Sequence, residues 1–347
     1  MQHARLAENP RRALSAALAH EAAGIAVQTS GSTGAPREVL IGPDAVVASC
    51  AATTERLGGP GAWLLAIPAE RIGGALVIAR AMLDGTALAE LQSGPFTPEA
   101  FAAAARDLPR GRRYTSLVPT QVVRLSRSAE GRAALASFDA VLVGGAPLPP
   151  LGLDANLVTT YGATETCGGC VYDGVPLAGV SVVTNHDGVI RIAGPTLATG
   201  YADGDDSAFV TEGDTRWFVT PDVGYWDGSR LTIAGRADDV IITGGLKAHP
   251  ARIERALDSL PYIAEAAVAG VADPEWGSRV TAWVVPAEPD STPASGMPSL
   301  GELRADLAAL LEPHELPRSV NVLATLPRAP GGKIDRRAMR TLAAGEE

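Results

Sequence analysis

The residues Thr29-Ser30-Gly31-Ser32-Thr33-Gly34-Ala35-Pro36-Arg37 bring two glycines, four hydroxyls and a guanidinium together directly after the apolar run 24–27. Glycines let the backbone bend so that successive N–H groups converge on an anion. The hydroxyls add donors, and Arg37 adds a fixed positive charge suited to phosphate. The spacing of a Walker A loop, G-x-x-x-x-G-K-[ST], cannot be fitted here. Alone, the segment reads equally as a phosphate cradle or as a Ser/Gly-rich surface turn. A second group, Tyr161-Gly162-Ala163-Thr164-Glu165-Thr166, follows the apolar run 157–160. A carboxylate at the C-terminal end of a strand, beside threonine hydroxyls, is placed to hold Mg²⁺ against a phosphate. Asp222, in Thr220-Pro221-Asp222-Val223-Gly224, offers an acid for ribose hydroxyls, and Arg236 an arginine within Gly235-Arg236-Ala237-Asp238-Asp239. Pro330-Gly331-Gly332-Lys333-Ile334-Asp335-Arg336 adds a lone lysine in a glycine-rich segment, which by itself is an ordinary solvated side chain.

The elements that must carry these groups are legible as alternating patterns. Alanine-rich helical periodicity recurs over 11–23, 44–57, 97–107, 251–259 and 300–311. Short apolar runs bounded by Gly, Pro, Asn or Asp lie between them, at 24–27, 62–67, 140–143, 157–160, 189–192, 231–234 and 266–271. Such alternation predicts an α/β protein with substantial parallel sheet. Strand and turn signals crowd together over 172–243, which predicts an antiparallel β section. The character changes after Asp239, and the domain boundary is expected near residues 237–238: an N-terminal domain over 1–237 and a small C-terminal domain over 238–347. The run 286–298, rich in Pro, Ser and acids, reads as a solvated loop.

Length and composition bound the function. A chain of 347 residues with 46% hydrophobic residues suits two domains with real cores. A formal charge of -10 argues against a nucleic-acid partner. Cysteine is limited to Cys50, Cys167 and Cys170, which suggests a reducing compartment. Cys167 and Cys170 have C-x-x-C spacing, yet zinc takes about four ligands and no second pair supplies them. They read better as two small residues lining a glycine turn. No signal peptide or membrane-spanning run is visible, so a cytoplasmic protein without membrane insertion is expected. Trp276 is expected in the core of the small domain, while His249 and His314 are given no role. A homodimer is expected only on base rate.

These segments, in this order, resemble the acyl-adenylate-forming superfamily of acyl-CoA synthetases, luciferases and peptide-synthetase adenylation domains. Its phosphate loop, T-S-G-[ST]-T-G-x-P-K, is matched by residues 29–37 except that Arg37 stands for lysine, and its Y-G-x-T-E motif by residues 161–165. The resemblance implies a large N-terminal domain of sheets layered with helices and a small mobile α+β C-terminal domain. It assigns Thr29, Ser30, Gly31, Ser32, Thr33, Gly34 and Arg37 to ATP phosphates, Thr164 to the adenylate phosphate and Glu165 to Mg²⁺. Gly144, Gly145 and Ala146, with Tyr161 and Gly162, form the nucleotide wall. Asp222 and Arg236 reach the ribose, Asp238 is the hinge, and Lys333 is the lysine required for adenylation. After a hinge rotation, Gly244, Gly245 and Lys247 are expected to meet coenzyme A.

A narrower similarity runs over nearly the whole chain. The stretch 159–177, with Arg112-Arg113-Tyr114-Thr115-Ser116-Leu117-Val118-Pro119-Thr120-Gln121 and Asp273-Pro274-Glu275-Trp276-Gly277, is similar to actinobacterial o-succinylbenzoate–CoA ligases of menaquinone biosynthesis. That implies an ATP- and Mg²⁺-dependent, AMP-forming ligase that passes an aromatic carboxylate to coenzyme A, with Gly168 and Gly169 leaving room for the aromatic ring. The chain departs from the pattern at Glu70-Arg71, where the family carries His or an aromatic residue. Arg71 reads either as a contact for the distal carboxylate of a dicarboxylic substrate or as half of a surface ion pair with Glu70. The alternatives are another aryl- or acyl-CoA ligase and a catalytically silent adenylate-binding protein.

Overall fold

The computed structural model describes residues 1–29, 37–92, 94–146, 148, 151–287, 297–328 and 334–344. By proximity the chain divides into two compact units. One comprises Met1–Asn185, Ile190–Thr220 and Trp226–Thr232; the other His186–Val189, Pro221–Tyr225 and Ile233–Glu347.

The first unit is built on a seven-stranded sheet. Its strands Leu88–Glu90, Ala62–Leu65, Arg113–Leu117, Ala140–Gly144 and Leu157–Ala163 run parallel, and Gly168–Tyr172 and Val175–Pro176 follow antiparallel. The central strands are buried on both faces, as parallel strands covered by helices must be. Alternation sorts their side chains into two cores. Trp63, Leu65 and Leu142 join the side that includes Leu14, Val46 and Leu76 from helices Pro10–Leu18, Pro43–Arg56 and Ile72–Asp84. Ala62, Leu64, Val141 and Val143 join Phe101, Leu125 and Leu135 from helices Pro98–Arg106, Pro119–Ser126 and Ala129–Ala136. Beside this lies a four-stranded sheet in the order Ala4–Arg5, Ile25–Gln28, Glu38–Ile41, Gly200–Tyr201. The expected antiparallel section is present, for example in Ser181–Thr184 with Val189–Ala193 and Phe209–Glu212 with Thr215–Trp226.

Local chemistry sets the helix ends. Asn9 accepts from Arg12 N at 3.0 Å and Thr97 from Ala100 N at 3.2 Å, each followed by proline at the first helical position. The helix expected over 11–23 stops at Leu18, because His20 turns to φ 57° and the Glu21 N–H closes onto Ala16 O at 2.8 Å.

The second unit holds a three-stranded sheet: Ile263–Asp273 pairs antiparallel with Gly277–Pro286, which pairs parallel with Ser319–Val322. Helices Pro250–Asp258 and Leu300–Leu307 contribute to one of its cores, and Met339 of helix Arg336–Ala344 to a second one around Trp283. Trp283 is fully buried, whereas Trp276 is only half-buried: the expectation for Trp276 was wrong, because it lies at the tight connection between two strands, where the Arg318 guanidinium, 3.6 Å from its ring centroid, packs on it. Among the described residues, no helix is long and apolar enough to cross a membrane.

Candidate active site

Ser30, Gly31, Ser32, Thr33 and Gly34 lie outside the described residues, but the two ends of their loop are held together. Strands Ile25–Gln28 and Glu38–Ile41 are antiparallel partners, with Gln28 opposite Glu38. Beyond that pair, the Thr29 N–H donates to Arg37 O at 2.8 Å, and Thr29 Oγ1 accepts from Arg37 N at 3.2 Å. The loop therefore springs from a closed hairpin base. Arg71, exposed at the start of helix Ile72–Asp84, donates from Nη1 to Gln28 O at 3.2 Å. Among the described residues it makes no ion pair with Glu70.

Glu165 sits in a single 3₁₀ turn, Thr164–Thr166, between strands Leu157–Ala163 and Gly168–Tyr172. Thr166 Oγ1 braces the turn, accepting from Ala163 N at 2.8 Å and donating toward Gly168 O at 2.8 Å. The Ala198 N–H donates to Glu165 O at 2.8 Å. The Glu165 side chain meets Tyr201, whose hydroxyl donates to Oε1 at 2.9 Å. Tyr201 stands opposite Val39 on the neighbouring strand. The Arg37 guanidinium lies over its ring, 3.6 Å from the centroid. Arg37 is itself gripped by Asp203, with Nε to Oδ2 at 2.9 Å and Nη2 to Oδ1 at 2.8 Å, and by Asp205 O at 2.7 Å. Burial, followed by the Glu165 carboxylate, pushes the Tyr201 phenol above its usual range, so it remains a proton donor. The Arg37 hydrogen bonds hold the Asp203 carboxyl below the usual carboxylate range.

The Glu165 carboxylate is half-buried, and among the described residues it makes no salt bridge with Lys, Arg or His. Those residues contain no cluster of three or more His, Cys, Asp or Glu able to cage a metal. Mg²⁺ binds through one or two carboxylates, substrate phosphates and water, so a single carboxylate such as Glu165 suits it chemically.

Close packing surrounds the same strand ends. Gly144 is the register partner of Thr160, and a Cβ on it would stand 2.5 Å from Thr160 Oγ1. On the other side of Thr160, a Cβ on Gly169 would meet its Cβ at 3.0 Å, and one on Gly168 (φ 82°) would meet Leu76 at 2.5 Å. Gly144, Gly145, Ala146, Tyr161, Gly162, Gly168 and Gly169 are thus gathered around the C-terminal ends of adjacent strands, where α/β sheets bind ligands. Cys167 and Cys170 are fully buried, and burial pushes the Cys170 thiol up to about 12 and the Cys167 thiol higher still.

The second unit assembles its own group. Arg236 grips Asp238 through Nε to Oδ1 at 2.8 Å and Nη2 to Oδ2 at 3.1 Å, and Asp222 is near enough to help hold the guanidinium charged. Gly244 and Gly245, at φ 56° and 79°, form the two-residue turn of the hairpin Ile241–Thr243 and Leu246–Ala248. Positive φ at both central residues is the type I′ requirement, so the turn by itself explains both glycines. Lys247 is exposed and lies 3.4 Å from Asp187. Lys333 falls outside the described residues.

The AMP-binding enzyme family model matches residues 27–202, and that of the AMP-binding enzyme C-terminal domain matches 252–333. The chain is 42% identical over 333 residues to a probable 2-succinylbenzoate–CoA ligase of Mycobacterium tuberculosis, covering 93% of this chain and 85% of the relative. The chain belongs to the AMP-binding enzyme family. Its fold is similar to that of o-succinylbenzoate CoA synthetase from Bacillus subtilis in complex with the acyl-adenylate intermediate OSB-AMP. The TM-score is 0.76 at 26% identity, over 91% of this chain and 68% of that one. The same Bacillus enzyme in complex with ATP and magnesium ion gives a TM-score of 0.73 at 26% identity, over 90% and 69%. Within this AMP-binding enzyme, the sequence reading missed Tyr201, Asp203 and Asp205. The only local signal was an aromatic residue after Gly200 and ahead of an acidic run, which does not name a partner 36 residues upstream.

Proposed function

We propose that the chain joins o-succinylbenzoate to coenzyme A at the expense of ATP, forming an acyl-adenylate and then o-succinylbenzoyl-CoA, AMP and pyrophosphate. The 42% identity to a probable 2-succinylbenzoate–CoA ligase, extending over 93% of the chain, carries the proposal. The closed loop base beside Glu165 supports it.

In this scheme the chain is an adenylate-forming domain over 1–237 and a small domain over 238–347, working in the cytoplasm. The carboxylate of the acid attacks the α-phosphate of ATP and pyrophosphate leaves. Residues 29–34 cradle the phosphates through backbone N–H groups and hydroxyls, and Thr164 holds the adenylate phosphate. Glu165 holds Mg²⁺, which neutralises phosphate charge when bound. Gly144, Gly145, Ala146, Tyr161 and Gly162 flank the nucleotide, and Asp222 and Arg236 hold its ribose. Gly168 and Gly169 keep the strand beside the site close-packed, since side chains there would meet Leu76 and Thr160, so the room expected at them for an aromatic ring is taken by the protein. Lys333 bridges the reacting oxygens as charge develops, so catalysis is positioning and electrostatics. Rotation about Asp238 then replaces Lys333 with the face carrying Gly244, Gly245 and Lys247, where coenzyme A enters.

A ligase for a different aryl acid is the second reading. It is favoured by Arg71, whose hydrogen bond to Gln28 O draws it to the loop base instead of leaving it free for a distal carboxylate. Acid-dependent pyrophosphate release from ATP separates the two, with o-succinylbenzoate, benzoate, a fatty acid or no acid, each with and without coenzyme A. Release with o-succinylbenzoate that rises to full turnover with coenzyme A is the expected result. Release only with another acid moves the substrate. No release with any acid points to a silent binder.

A further inference from the structure

Arg37 stands at the lysine position of the loop motif that residues 29–37 resemble, and its surroundings give it work that a lysine cannot copy. The guanidinium presents two parallel bonds to Asp203, at 2.8 and 2.9 Å, and a third to the Asp205 carbonyl at 2.7 Å. A planar fork matches a carboxylate in this way; an ammonium is a point charge. The same plane stacks 3.6 Å from the centroid of Tyr201. Tyr201 is nearly buried at 7% exposure, and Phe209 adds a ring contact at 5.7 Å. The Tyr201 N–H donates to Asp206 Oδ1 at 2.8 Å. The phenol is thus fixed by its strand, by the Phe209 ring and by the Arg37 guanidinium, and the hydroxyl reaches Glu165 Oε1 at 2.9 Å.

We propose that Tyr201 is a positioning residue for the Glu165 carboxylate, and that Arg37 acts through Tyr201, held in place by Asp203, more than by touching phosphate. The phenol orients Oε1, and the other carboxylate oxygen would then be the one to hold the cation. A hydrogen-bonding partner behind a metal ligand commonly governs affinity by about 10- to 100-fold. The proposal rests on Glu165 as the metal-bearing acid, so the test includes that residue.

The experiment is Mn²⁺ binding by electron paramagnetic resonance in the presence of ATP and without acid, so that no turnover occurs. ATP binding in EDTA is measured in parallel. The proteins are wild type, Glu165→Gln, Tyr201→Phe and Asp203→Asn. Tyr201→Phe keeps the ring and the Arg37 stack and loses only the hydroxyl. Expected is about tenfold weaker Mn²⁺ binding in Tyr201→Phe, a smaller loss in Asp203→Asn, and ATP affinity in EDTA within about twofold of wild type. Unchanged Mn²⁺ affinity in Tyr201→Phe, with loss in Glu165→Gln, overturns the positioning role alone. Unchanged affinity in Glu165→Gln overturns the metal assignment itself. An equal fall of ATP binding in EDTA makes Tyr201 a structural support of the loop and overturns the proposal.

Discussion

Asp258 closes helix Pro250–Asp258, where a carboxylate meets the negative end of the helix dipole. Burial pushes its carboxyl from 3.8 up to about 7, with the neighbouring Glu254 charge adding to the shift and the Ala266 N–H opposing it. The unfolded chain releases this proton near pH 4 while the folded chain keeps it. Stability from the protonated form is therefore complete below about pH 4 and is lost as pH rises to about 7. At about 1.4 kcal/mol per pH unit the full loss is about 4 kcal/mol, and partial solvent access reduces this to about 2 kcal/mol. Asp258→Asn mimics the protonated state and keeps an oxygen for the Ala266 N–H. The variant should match wild type in urea denaturation at pH 4 and exceed it by about 2 kcal/mol at pH 8. Carboxyl ¹³C NMR should show Asp258 titrating near pH 7. A midpoint near 4, or a stability difference that does not change with pH, refutes the reasoning.

Other consequences are equally direct. Arg336 pairs with the nearly buried Glu254 at 2.6 Å, and Glu254 also accepts from Val268 N at 2.8 Å. Arg336→Met strands that carboxylate, so the second unit should lose about 3 kcal/mol, read as faster amide exchange at Val268. Gly244→Ala places a methyl 2.9 Å from the Trp276 ring at φ 56°, whereas Gly245→Ala meets no atom within 4 Å. Thermal unfolding should show Gly244→Ala as the worse of the two, with Gly245→Ala costing only the left-handed backbone penalty of about 1 kcal/mol. Lys333→Ala should abolish adenylate formation and spare thioester formation from supplied adenylate; equal loss of both half-reactions defeats that division of labour. Cys50, Cys167 and Cys170 are all buried, with the first and last pushed up to about 12. A water-soluble thiol reagent should therefore label none of them at pH 8 until urea is added.

Much of this protein could be read along the chain because local chemistry repeats locally. Alternating helices and apolar runs specify layered α/β architecture, and the order of the loop at 29–37, the turn at 161–166 and the acid at Asp222 specifies adenylate chemistry by resemblance. Helix Ile72–Asp84 escaped notice because it is apolar around most of its surface and begins Ile72-Gly73-Gly74, so it has no polar stripe to betray its period. Trp276 and Trp283 look alike in sequence, and only strand pairing decides that Trp283 enters the core. Tertiary structure alone unites Arg37, Tyr201 and Glu165, which are separated by 164 and 36 residues along the chain. Their meeting depends on the Gly200–Tyr201 strand pairing with Glu38–Ile41, and a long-range register leaves no periodic mark on either segment.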